Sequence, residues 1–116
     1  MKHALATLRS HLQALETMAQ ATHPDRAGLQ QQFLLAQQHF QHQILPLGDQ
    51  TPSAQPIITE INRTLRLLAM DVAFLQTARQ SITTQQRQRQ LGDKLAQLLG
   101  FCAALAPVLN PGAIEE

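Results

Sequence analysis

The stretch that decides the fold is "RLLAMDVAFLQTARQSITTQQRQRQL", Arg66 to Leu91. Its first half is apolar on more than one side and is interrupted by a lone acid, Asp71. Its second half is a short Ser/Thr segment followed by a dense Gln/Arg run. Read at helical spacing, Leu65, Leu68, Val72 and Leu75 fall on one face. Extended towards the N-terminus, the same stripe takes in Ile61 and Ile57. A second stripe, Leu67, Met70 and Phe74 with Ala78 nearby, lies nearly opposite. A surface helix usually buries one face, so two apolar faces predict a helix contacted from both sides.

Working outward, the spacing predicts four helices, over about 2–22, 26–45, 55–80 and 84–105. The first carries Leu5, Leu8, Leu12, Leu15 and Ala19 on one face, and "HPD" ends it because Pro24 resists continuing a helix. Asp25 is placed to cap the second, whose stripe is Leu29, Phe33, Ala36, Phe40 and Ile44. Residues 46–56, "PLGDQTPSAQP", hold three prolines and a glycine and read as a loop. Thr83 with Gln86 three residues on has the form of a capping box for the fourth helix. That helix carries Leu91, Leu95, Leu98, Cys102 and Leu105, with a strip of Gly92, Ala96 and Ala103 expected at a close helix contact. Pro107 and Pro111 are expected to stop it and leave 107–116 as a loose tail. The predicted fold is all-α: a single domain over 1–106, an antiparallel four-helix bundle, with a dimer left open.

Composition agrees with one helical domain. The chain has 116 residues, 44% hydrophobic, with 3% aromatic and no Trp or Tyr. Its 18 glutamines are spread over helix faces rather than gathered in a prion-like tract. A formal net charge of +1 argues against a strong nucleic-acid or acidic-membrane partner. The single cysteine excludes an internal disulfide and suits a reducing, cytoplasmic setting. No uninterrupted apolar run approaches the roughly 18 residues of a membrane span. The N-terminal "MKHALATLRSHLQAL" reads as an amphipathic helix and not as a signal peptide.

Few residues offer chemistry. His39 with His42, and His3 with His11, share helix faces, but zinc needs three or four converging ligands. The Glu-x-x-His pattern of di-metal bundles is missing. Cys102 sits on an apolar seam, where a thiol is inert. Neither a phosphate-binding glycine loop nor a nucleophile elbow is present. The chain is therefore expected to be no enzyme and to need no cofactor or metal. Asp71 has only Leu67, Leu68, Phe74 and Leu75 at helical neighbour positions. A partly buried carboxylate there needs a tertiary partner, with Arg79 or Arg87 as candidates, and reads first as a bundle-locking ion pair. Arg79, Arg87, Arg89 and Lys94 form a modest basic patch without aromatics, a weak basis for DNA binding.

From Thr59 to Arg87 the chain resembles the PatD family of cyanobacteria, through "TEINRTLRLL", "DVAFLQTARQ" and "TTQQRQRQL". The resemblance implies a small, helical, non-enzymatic cytoplasmic regulator of heterocyst frequency, linked to the division protein FtsZ as a partner. Leu67, Met70 and Phe74 would then form the apolar centre of a protein-binding surface, with Arg79, Arg87 and Arg89 as its polar rim. The competing expectations are a homo-oligomeric adaptor and a weak DNA-binding regulator using the turn from Arg79 to Lys94.

Overall fold

The computed structural model describes residues 2–110. Five α-helices follow one another: α1 (Lys2–Ala19), α2 (Arg26–His39), the short α3 (Leu47–Gln50), α4 (Gln55–Thr77) and α5 (Ser81–Leu109). The four long ones make the bundle. α1 packs on α2 and α5, and α4 packs on α2 and α5. Cross-bundle hydrogen bonds fix the directions. Near the end of α4, Gln76 donates to the Arg26 carbonyl at the start of α2 (2.9 Å). Near the start of α5, Gln88 donates to Ala19 at the end of α1 (2.9 Å). Neighbours therefore run antiparallel, as short connections require, in a body of 48 × 26 × 18 Å.

The core is built from the stripes. Leu5, Leu8, Leu12, Leu15 and Ala19 of α1 are buried against Leu29, Phe33, Ala36, Phe40 and Ile44, and Leu91, Leu95, Leu98, Cys102 and Leu105 of α5 close the seam. The α4 stripe is buried from Ile61 to Leu75, but at its start Ile58 is fully buried and Ile57 only partly so. A 3.6-residue period drifts over a helix this long, and Thr64 rather than a further apolar residue fills the inner face beside Leu65. Asp25 caps α2 as expected, accepting from the Gly28 N–H at 3.1 Å.

The helix ends depart from the sequence reading. α1 ends at Ala19, and α4 ends at Thr77 where Ala78 turns extended. α2 passes into a π-turn over Phe40–Ile44, where the Leu45 N–H reaches the Phe40 carbonyl at 2.8 Å. Pro46 follows directly and cannot donate to a carbonyl one turn back. Residues 46–56 are not an open loop: α3 and a 3₁₀ turn over Pro52–Ala54 fold the corner inward, burying Leu47, Gly48 and Ala54. α5 starts at Ser81, so Thr83 is no cap, and the Thr84 hydroxyl instead donates back to the Gln80 carbonyl. Pro107 lies inside α5 without ending it. Its missing bond falls in the last turn, and buried Leu109 anchors the end. The rest of the expected tail, 111–116, lies outside the described residues. The expected close contact at Gly92 is absent, since a Cβ there would meet open space.

α5 also averages a hydropathy of 1.2 over an 18-residue window, enough by length and composition alone to cross a membrane. Asp93, Lys94 and Gln97 interrupt its apolar residues, so the segment holds no long unbroken apolar run. Its leucines at 91, 95, 98 and 105 face the bundle core.

Candidate functional site

The outer face of α4 carries three large apolar side chains in the open: Leu67 is 40% exposed, Met70 56% and Phe74 45%. The second stripe is thus an outward surface and not a second buried face. Its edge is organised from α5. The guanidinium of Arg87 lies over the Phe74 ring, 3.9 Å from its centroid, a cation–π contact that flattens the side chain along the stripe. The same guanidinium reaches Asp71 at 3.4 Å and the Gln90 side chain at 3.2 Å.

Asp71 is 2% exposed. Its other carboxylate oxygen accepts from Lys94 at 2.6 Å. The acid is therefore held between α4 and α5 by two cations, a pair that ties the two helices together. Of the candidates named for it, Arg87 is a partner and Arg79 is not. Lys94 was missed, yet its signal was in the sequence: Arg87 and Lys94 are seven residues apart, on one face of α5.

The six expected site residues divide. Leu67, Met70, Phe74 and Arg87 come together. Arg89 is on the other side of α5, where it lines a hollow of about 480 Å³ beside the end of α1. Arg79 lines an adjoining hollow of about 370 Å³ at the end of the bundle, with Arg26 and His23. The basic run from Arg79 to Lys94 is thus no continuous cationic strip, since Arg87 and Lys94 turn in to share the one carboxylate of Asp71 and the other two face elsewhere.

Other reactive groups are placed singly or in pairs. Burial pushes the Cys102 thiol up to about 11, slightly offset by the positive charge of Arg9. His11 and His39 meet edge to face with ring centroids 5.8 Å apart. The His39 Nε2 is hydrogen-bonded to the Ala4 carbonyl and the His11 Nδ1 to the Gln32 amide. Partial burial, and secondarily the neighbouring His39, lower the affinity of His11 for a proton. Among the described residues no three His, Cys, Asp or Glu side chains converge as metal ligands.

A family model for the CRR41 C-terminal domain matches residues 5–100. No curated protein and no solved structure matches the chain. This corrects the resemblance to PatD, and with it the heterocyst role and the FtsZ partnership that rested on it. The runs that carried the resemblance are α4 and the start of α5. Their Leu spacing on the inner face is what any amphipathic bundle helix needs, so it does not discriminate between helical families. The match over 5–100 takes in the whole of α2 and α4 and most of α1 and α5, and the chain belongs to the CRR41 C-terminal domain family.

Proposed function

We propose that the chain is a non-catalytic protein-binding domain that docks another polypeptide on the outer face of α4. The observation that carries this reading is the trio Leu67, Met70 and Phe74, each two-fifths or more exposed beside Arg87. Apolar side chains grouped on one face, with a charged rim, have the layout of an interface centre. The Phe74–Arg87 stack restrains both side chains before a partner arrives, which lowers the ordering cost of binding.

Charge selects the occupant. Asp71 neutralises only one of Arg87 and Lys94, Glu60 is taken by Arg63 at 3.0 Å, and Arg66 is exposed nearby. The face therefore carries a positive excess. Two copies docked symmetrically would bring these excesses together, whereas an apolar surface with acidic side chains on its border would complement them.

A photo-crosslinking residue at Met70, in cells that make the protein, tests this. The expected result is a discrete adduct with a different polypeptide, lost in Leu67→Ala/Phe74→Ala and absent when the crosslinker replaces Leu35 on α2. An adduct with a second copy of the chain, with a concentration-dependent mass in sedimentation, would replace the reading by self-association. Equal adducts from positions 70 and 35 would end it. Unchanged far-UV circular dichroism of the double variant confirms that the fold is intact.

A further inference from the structure

The hollow at the end of the bundle joins two loops that are far apart in sequence. His23 and Arg26 come from the α1–α2 connection, and Arg79, Ser81 and Thr84 from the α4–α5 connection and the first turn of α5. Its lining contains no Asp or Glu. Neither Arg26 nor Arg79 has a carboxylate partner among the described residues, and the adjacent acid, Asp25, is occupied in capping α2. Arg79 is exposed and Arg26 half-buried, so the hollow carries two solvent-accessible guanidiniums with no carboxylate in its lining to offset them.

The walls are fixed. Gln76 ties α4 to the Arg26 carbonyl, and the Gln88 amide donates to both Ala19 and Ala21 at 2.9 Å. The hollow's volume of about 370 Å³ is at the small end of the range for small-molecule sites. It presents two guanidiniums, an imidazole and the Ser81 hydroxyl, together with the Gln85 and Gln88 side chains. α5 adds its amino end, which has no side-chain cap.

We propose that this hollow binds the phosphate of a small phosphate monoester, with Arg26 and Arg79 as its charge partners. Guanidinium forks suit phosphate oxygens, and a tetrahedral dianion accepts from more directions than a carboxylate. His23 and Ser81 are among the other lining residues, and the volume leaves room for a small organic group beyond the phosphate. This site is separate from the α4 face and does not depend on it.

The test is an amide-resolved NMR titration of the full chain with glycerol 3-phosphate, inorganic phosphate and chloride at constant ionic strength. Saturable shifts in Arg26 and in Ser81 to Thr84 are expected with the two phosphates and not with chloride. Half-saturation should rise about tenfold or more in Arg26→Gln and in Arg79→Gln, less in Arg79→Lys, and not at all in the outer-face variant Arg66→Gln. Equal shifts with chloride, or shifts that survive in Arg26→Gln/Arg79→Gln, would overturn the site. A phosphoserine peptide that saturates at far lower concentration than glycerol 3-phosphate would overturn the small-molecule assignment.

Discussion

Replacing Asp71 by Asn puts the most weight on the α4–α5 contact. The carboxylate is almost wholly buried and serves two cations, Lys94 at 2.6 Å and Arg87 at 3.4 Å. Asparagine keeps the volume and one acceptor but removes the charge, leaving two cations facing each other. Breaking a fully buried pair costs about 3–5 kcal/mol. The Arg87 and Lys94 side chains are 30% and 23% exposed, so both can turn partly to water, and the expected loss is smaller, about 2–3 kcal/mol. For a domain of 116 residues this lowers the melting midpoint by about 8–12 °C. With no Trp or Tyr, the assay is far-UV circular dichroism during heating and urea titration. Pairing Asp71→Leu with Lys94→Met should recover most of the loss, because an ion pair exchanged for apolar packing is close to neutral, whereas either change alone should not. A shift under about 2 °C for Asp71→Asn, or strict additivity of Asp71→Leu and Lys94→Met, would refute the claim that this pair locks the helices.

Three further outcomes follow from local geometry. Gly92→Ala and Gly100→Ala should each raise stability by about 1 kcal/mol, since both glycines are helical and an added Cβ meets nothing within 4 Å; urea midpoints measure this, and a loss would mean a hidden contact. Cys102, the single cysteine, is buried with its thiol pushed up to about 11, so a disulfide-exchange reagent at pH 8 should label it at the unfolding rate, and fast labelling of the native chain would contradict its place in the seam. His11 binds its proton less readily in the fold than its ordinary 6.5. The unfolded chain therefore holds more protons below about that pH, and stability should fall as pH drops through it; the fall should be shallower in His11→Gln, and an identical pH dependence would remove His11 as its source.

The helices were legible because Leu spacing reports burial directly. The α1, α2 and α5 stripes named from the sequence are the ones that face the core. What was not legible depended on contacts outside the periodic pattern. Pro107 looks like a stop until buried Leu109 holds the turn beyond it. The proline-rich corner looks like a loop until Leu47 and Ala54 bury into the core. The outward apolar trio was visible in the sequence, but whether it was core or surface depended on how many helices surround α4, and only two long ones do. The family was misread for a related reason: amphipathic periodicity is strong in the α4 sequence and common to helical bundles, so it supports the fold far better than it supports a lineage.

The arginines show how a run in sequence disperses in space. Successive residues of an α-helix turn by about 100°, so Arg87 and Arg89 stand on nearly opposite sides of α5. Arg87 therefore joins Asp71 and Phe74 on the α4 side, and Arg89 turns towards the end of α1. Arg79, before the helix begins, lines the hollow at the end of the bundle with Arg26. The chain thus presents two surfaces of different chemistry, one apolar with a cationic edge and one a hollow of donors, and they share no side chain. Side chains without shared partners contribute independently. Leu67→Ala/Phe74→Ala should consequently leave phosphate titration of the hollow unchanged, and Arg26→Gln/Arg79→Gln should leave crosslinking at position 70 unchanged. Coupling between the two pairs would mean that α4 transmits a change from one end of its length to the other, and that the domain responds to a ligand in what it binds.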